Sequence, residues 1–470
     1  MKLKISRLTL ATTLATTLAA TAASPLAAQD TDDLRAELAQ MRAQMEAMAL
    51  RVDALETELD EAETEARTAN ARAEAAMAAA ETAQVAAADA TETIEANDGP
   101  DIAFKGAPQI TGDNGWSFKP RGRLQYDAGT ISAPDGTGVD DGFGSEARRA
   151  RLGVSGDMPG GVGYKFEVDF AGNDISVADA ILTYETGDAE LIVGQFNNFQ
   201  SLEELTSSLH TSFIERAAFT DAFGFERRVG AGVTYNSGDL LLQAGAFSDN
   251  MEDLSNKNWS LDGRVVFMPR IGDTQVHLGG SIHYADLEAG SQVRYRQRPL
   301  VHFTSDRLVS TGRFDASSEF GLGVEAAVIS GPFHAAAEAY WQNVDDPLGG
   351  PDAGFFGGYA EIGYFLTAGD TRGYKGGKFD RTKPENPVGE GGSGSVQVNL
   401  RYDRLDLNDG LIVGGTQDGY FASIIWKPTD YTAILANYGR LEYSDAVFAT
   451  ASGLRDYGVD VFAIRAQIDF

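Results

Sequence analysis

From residue 101 onward, apolar and polar positions alternate. In the C-terminal stretch VFAIRAQIDF, Phe462, Ile464, Ala466, Ile468 and Phe470 fall on one parity. Ala463, Arg465, Gln467 and Asp469 fall on the other. GYKFEVDF sets Tyr164, Phe166, Val168 and Phe170 against Lys165, Glu167 and Asp169. SVQVNLRYD sets Val396, Val398, Leu400 and Tyr402 against Gln397, Asn399, Arg401 and Asp403. Successive side chains of a strand point to opposite faces, so each stretch predicts a strand with one apolar and one polar side. A sandwich alternates too, with its apolar face as a core. Here tyrosine and phenylalanine gather at strand ends, which suits the aromatic girdles of an outer-membrane barrel.

The pattern predicts sixteen strands between residues 116 and 470, an even number, as a single-chain bacterial barrel needs. Alternate connections are tight: Met158–Gly161, Gly187-Asp188, Ser237-Gly238, Pro269–Gly272, Gly331-Pro332 and Pro428-Thr429. The others tend to be long, at 129–145, 197–225, 288–317, 345–355 and 444–457. Short turns at one rim and long loops at the other is the outer-membrane asymmetry. Two connections break it: 368–394 is long on the short-turn side, and 171–174 is short on the long-loop side.

Residues 30–97 follow a different period. Leu34, Leu38, Met41, Met45, Met48, Val52, Leu55 and Leu59 alternate in steps of four and three, and alanines carry the register on to Ile94. This heptad seam predicts an α-helical coiled coil, with a solvated single helix as the other reading. At 1.5 Å per residue it would be a rod on the order of 90 Å long. Residues 1–28 combine Lys2, Lys4 and Arg7 with the small and apolar run Leu8–Ala23, the pattern of a secretory signal peptide. No later stretch reaches the roughly 18 apolar residues of a membrane helix, so a membrane-spanning chain would span as strands. The domain reading is therefore signal peptide 1–28, periplasmic coiled coil 30–97 and all-β transmembrane barrel 101–470.

Composition narrows function. A net charge of −31 argues against nucleic acid as a partner. The chain has no cysteine, and its five histidines show no metal-ligand spacing. There is no P-loop, no nucleophile elbow and no rim Ser/His pair, so no catalytic residue, metal or cofactor is expected. The candidate chemistry is electrostatic. In EARRARLGVSGD, Arg149 and Arg151 oppose Ala150, Leu152 and Val154. A lipid-facing arginine at mid-membrane costs about 2–4 kcal/mol, so these two belong to the lumen. Arg148 would sit at the outer end of the strand. Arg121, Arg123, Arg228, Arg264, Arg401 and Arg465 have the same inward parity. These arginines form either an anion-attracting stripe or a set of ion pairs with wall acids. Segment 197–225 has the length, position and apolar content of a loop folded into the lumen. Its Glu203, Glu204, Glu215 and Asp221 outnumber Arg216, and such a carboxylate constriction would favour cations.

Together FKPRGRLQYDAG, EARRARLGVSGD, YKFEVDFAG, LIVGQFNN, RRVGAGVTYN and the terminal AQIDF resemble the phosphate-selective porin O/P family. The resemblance implies a sixteen-stranded, homotrimeric outer-membrane channel with an inward third loop. It also implies an arginine and lysine path for phosphate. Arg121, Arg123, Arg149 and Arg151 match basic wall positions, whereas Glu203 and Glu204 depart from a basic third loop. The sequence reading is an outer-membrane porin for passive diffusion of small hydrophilic solutes or ions. Its partners are outer-membrane lipid and copies of itself. The other reading is a structural anchor whose rod contacts the cell wall.

An unbroken seam from Leu34 to Ile94 should help hold three chains together. Deleting 30–97 is expected to lower the temperature at which the oligomer dissociates in SDS while leaving the barrel folded. An unchanged dissociation profile would reduce the rod to a tether.

Overall fold

A computed structural model describes residues 100–470 apart from 173–174 and 255–256, together with isolated helical positions at 67, 71, 74, 77, 78 and 81. The chain divides into two units, Met1–Asp98 and Gly99–Phe470. The signal peptide and coiled coil expected from the sequence lie outside the described residues, those isolated positions excepted.

The second unit is a sixteen-stranded antiparallel barrel. Its strands are β1 (Ser117–Ser132), β2 (Gly142–Met158), β3 (Val162–Asp169), β4 (Ser176–Thr186), β5 (Ala189–Asn197), β6 (Arg227–Ser237), β7 (Leu240–Phe247) and β8 (Trp259–Phe267). There follow β9 (Thr274–Asp286), β10 (Ser318–Ser330), β11 (Phe333–Asp345), β12 (Ala353–Phe365), β13 (Ser395–Asp409), β14 (Ile412–Thr429), β15 (Thr432–Ser444) and β16 (Tyr457–Asp469). Each pairs with the next, and β16 closes on β1 from Asp460↔Ser132 to Asp469↔Arg123. Closure leaves no wall strand with unpaired backbone groups toward lipid, as a membrane-spanning sheet requires. A hairpin of Asp101–Phe104 and Pro108–Thr111 pairs onto the start of β1.

Alternation sorts the two faces. Leu124, Leu152, Leu182, Ile282, Leu400 and Ile464 are exposed on the outside, while Gln125, Asp127, Glu167, Asp262 and Arg465 are buried inside. Tight connections at 159–161, 187–188, 238–239, 331–332 and 430–431 mark one rim. Segments 133–141, 198–226, 248–258, 287–317 and 445–456 lie at the other. There β13 and β14 run on to meet in a two-residue turn at 410–411, so the hairpin stands tall where a longer loop could have been. The long short-rim connection is real, at 366–394.

The hydrophobic core lies inside the barrel, between its wall and segment 198–226. That segment carries helices α1 (Leu202–Leu205) and α2 (Ala218–Ala222). Its Leu202, Phe213, Ile214 and Phe219 are buried with wall residues Tyr340, Tyr359, Leu405 and Phe421. The Phe219 ring stacks on Tyr340 and Tyr359 with centroids 6.0 and 6.4 Å apart. At Gly357 of β12 a Cβ would stand 2.3 Å from the Phe219 Cβ, so the missing side chain lets the loop dock. The apolar content of the segment is thus satisfied by burial in the lumen.

Ile464→Arg places a guanidinium on the lipid face of β16 and is expected to cost about 2–4 kcal/mol of barrel stability if it lies near mid-membrane. Urea unfolding in lipid vesicles measures it, and a change within about 0.5 kcal/mol would contradict the assigned face.

Candidate functional site

The inward loop is fastened along one side of the barrel. Glu338 of β11 accepts the backbone N–H groups of Leu202 and Glu203 at 2.9 and 2.7 Å, and Asp403 accepts that of Ala218 at 2.8 Å. Asn437 accepts from Ile214 N–H at 2.8 Å, and the Ser423 hydroxyl donates to Ser212 O at 2.7 Å. Arg401 donates to Glu203 at 2.7 Å and to Glu361 at 2.6 Å, all three side chains being 1% exposed. Arg465 holds Asp127 at 2.7 Å and Glu215 at 3.1 Å. These anchors come from β11–β16 and β1. Beside β2–β7 the lumen keeps open space.

The arginines of β2 border that space. Across the β1–β2 ladder Gln125 pairs with Arg149, but Tyr126 pairs with Ala147. Arg148 is therefore the extra residue of a β-bulge, which shifts the parity of the strand beyond it. The bulge turns Arg148 inward along with Arg149 and Arg151, and Arg148 meets Glu215 at 2.7 Å. Arg151 meets Glu167 and Asp169 at 3.2 and 2.7 Å. Arg149 is buried, and its recorded side-chain partner is an amide oxygen, Gln125 Oε1 at 3.0 Å, not a carboxylate.

Two cavities flank this point. The outer, about 310 Å³, is lined by Arg148, Glu215, Asp221, Arg298 and His302 among others. The inner, about 390 Å³, is lined by Arg121, Arg123, Lys165, Asp179, Glu190 and Lys378 among others. Both are lined by Arg149, Arg151, Glu204, Arg216 and Arg227, so they meet at those side chains. Counting both sets, the inner cavity presents eight basic side chains against three carboxylates. The outer presents six arginines against five. Burial disfavours charge on Glu215, yet the guanidiniums of Arg148, Arg149 and Arg465 outweigh it and hold the carboxyl well below the usual carboxylate range. Burial pushes the Glu204 carboxyl up despite Arg216 beside it.

The residues singled out in the sequence fall into three groups. Arg121, Arg123, Arg149, Arg151, Glu204 and Arg216 line the inner cavity or the junction, while Glu215 and Asp221 line the outer cavity. Arg228 pairs with Asp249 at 3.3 Å and lines a neighbouring outer pit with Arg294, Arg296 and Arg307. Arg264, Arg401, Arg465 and Glu203 face inward but are sealed from the cavities. Arg264 binds Glu325 at 2.7 Å and donates to Gly377 O at 2.7 Å. The cavities gain four basic residues beyond the arginines of inward parity. Arg148 needed the bulge. Arg227 starts β6 with outward parity, but the chain enters from the loop and Asp179 draws it in at 2.8 Å. Lys165 lies on the polar face of β3, as the alternation of GYKFEVDF predicts, and lines the inner cavity. Lys378 sits in the 366–394 connection, which folds back into the lumen: Arg372 donates to His210 O at 2.8 Å, and Tyr374 meets His277 at 2.6 Å. Among the described residues no cluster of histidine and carboxylate side chains is placed to hold a metal ion.

A closed barrel with a loop folded into its lumen and a polar passage beside that loop has the architecture of an outer-membrane diffusion porin. The family model for phosphate-selective porin O and P matches residues 118–470, and the chain belongs to that family. It is a porin of the outer membrane. It is 47% identical over 386 residues to an uncharacterized protein of Caulobacter vibrioides, a match covering 79% of this chain and 77% of the relative. OmpT of Vibrio cholerae shares the fold, with a TM-score of 0.50 and 12% identity, covering 77% of this chain and all of that one. An anion-selective porin from Comamonas acidovorans aligns over 76% of this chain and all of its own, with a TM-score of 0.47 and 13% identity.

Arg401→Met would strand Glu203 and Glu361 as unpaired buried carboxylates. Removing one partner of a buried pair costs about 3–5 kcal/mol. The loop should then become cleavable within 198–226 by added protease in intact outer membranes, where the wild-type loop resists. Equal protection of the two would show that the triad does not hold the loop.

Proposed function

We propose that the channel passes small hydrophilic solutes by diffusion with a preference for anions, phosphate among them. The reading is carried by Arg149, a buried guanidinium at the junction of the two cavities whose recorded side-chain partner is a neutral amide. The loop carboxylates do not form a free ring that would favour cations. Glu203 is taken up by Arg401, Glu215 by Arg148 and Arg465, and Glu204 by Arg216 at 3.4 Å. The inner cavity keeps its basic surplus, and in a narrow lumen such charges act more strongly than on an open surface. Outside, Arg294 and Arg296 of the 287–317 loop have no ion pair among the described residues, and they raise the local concentration of anions.

Assembly as a homotrimer, with residues 30–97 as a periplasmic stem, fits the heptad seam and belongs to the same proposal. The seam also favours a second reading, in which the barrel anchors a rod that contacts the cell wall. Transport and anchoring are compatible in one chain, and only a channel produces conductance steps. The family and fold are those of non-enzymatic channels.

Arg149→Gln with Arg151→Gln keeps polarity and near-equal length while removing two charges. In planar bilayers under a KCl gradient, the chloride-to-potassium permeability ratio should fall about twofold or more, and further at low salt where screening is weak. An unchanged ratio with a less stable barrel would mean that these arginines serve only to pair with wall acids.

A further inference from the structure

A water-facing porin wall is expected to be polar, and β4 and β5 break that rule. On the parity of Asp179 and Thr183, β4 carries Ile181. On the parity of Glu190, β5 carries Ile192. Both isoleucines are half-buried and line the inner cavity. Thr183 faces Ile192 and Ile181 faces Gly194 in the ladder, so the two isoleucines are diagonal neighbours on the lumen side.

Behind them lies an aromatic triad. The rings of Phe196, Phe199 and Phe247 have centroids 5.2 to 6.0 Å apart, and Ile181 and Ile192 pack against them. The wall is cleared for these rings. A Cβ at Gly230 or Gly245 would stand 2.4 or 2.7 Å from the Phe247 ring, and one at Gly232 would stand 2.7 Å from the Phe199 ring. Fastening the root of the inward loop accounts for the buried triad. It does not account for two further isoleucines on the cavity side, where a porin lumen ordinarily carries polar groups.

The apolar patch borders a basic one. Lys165 is the direct ladder partner of Ile181. Lys378 is exposed at the tip of the 366–394 segment, and neither it nor Arg121 has an ion pair among the described residues, though both line the same cavity. A small inorganic anion meets only the charges. A neutral hydrocarbon meets only the isoleucines. A carboxylate on an apolar body meets both at once.

We propose that the inner chamber selects organic monoanions with an apolar body, aromatic carboxylates above all, over inorganic or short-chain anions of equal charge. This deepens the porin reading and rests on it. The carboxylate sits toward Lys378 and Arg121, and the ring lies on Ile181 and Ile192. Removing a ring face from water adds affinity that acetate cannot obtain.

The full chain in a planar bilayer tests this near neutral pH. Chloride current is recorded in KCl while sodium benzoate or sodium acetate is added, and the half-blocking concentration is read for each. Benzoate should block at a concentration about tenfold lower than acetate. In Ile181→Ser with Ile192→Ser, the benzoate value should rise about fivefold while acetate moves less than about twofold. Lys378→Gln should raise both values. Equal half-blocking concentrations for benzoate and acetate in the wild-type channel would overturn the proposal, even if the serine pair failed to fold. A serine pair that shifted both equally would overturn it as well. A chain that gave no chloride steps at all would overturn the porin reading itself, a different and earlier failure.

Discussion

The passage depends on one buried ion cluster. Arg401 sits between Glu203 of the loop and Glu361 of β12, with its guanidinium carbon 4.5 Å from the centroids of both the Phe213 and Tyr359 rings. Its charge is answered by carboxylates and its flat faces by aromatic rings. Burying three charges is costly, and geometry this complete is what offsets the cost. Because such a cluster is worse half-satisfied than absent, it favours one position of the loop. With the loop drawn against β11–β16, the remaining opening is forced to the side of β2–β7, where the arginines of β2 stand.

The constriction is built from both rims. The loop descends from one, and segment 366–394 rises from the other. They meet where Arg372 donates to His210 O and to Ser212 Oγ at 2.8 and 2.6 Å, with its guanidinium carbon 4.1 Å from the centroid of the Phe379 ring. Ser212 also donates to Glu361 at 2.8 Å, so this contact and the Arg401 cluster share a carboxylate. The 366–394 segment therefore braces the loop from the short-turn rim and brings Lys378 to the inner cavity. A change in either inward segment acts on the same contacts.

Strand positions were largely legible because alternation is a local signal, and a misassigned parity would turn arginines into lipid. Positions of individual charges were less so. Arg148 lies where a bulge resets parity, and nothing in EARRAR marks the extra residue. Arg227 follows the loop, whose exit direction overrides the period of its strand. The greatest gap concerned the loop acids. Glu203 is answered by Arg401, 198 residues away, and Glu215 by Arg465, 250 residues away. A count of carboxylates in the segment leaves the sign of the constriction open, because it cannot see which of them tertiary contacts neutralise. The sign of a pore's field is set by residual charge after pairing, and pairing is tertiary.

The loop position can be tested without competing thiols, since the chain has no cysteine. Ser423 donates to the backbone of Ser212 at 2.7 Å, so the two residues lie against each other, and thiol titration reports whether a cysteine pair there closes a disulfide. Single-channel conductance of Ser212→Cys with Ser423→Cys should be recorded before and after reduction of the disulfide. A loop already held against the wall predicts the same conductance in both states. A several-fold rise on reduction would mean that the loop leaves the wall when free to do so, and that the arginine-lined passage is not the resting path.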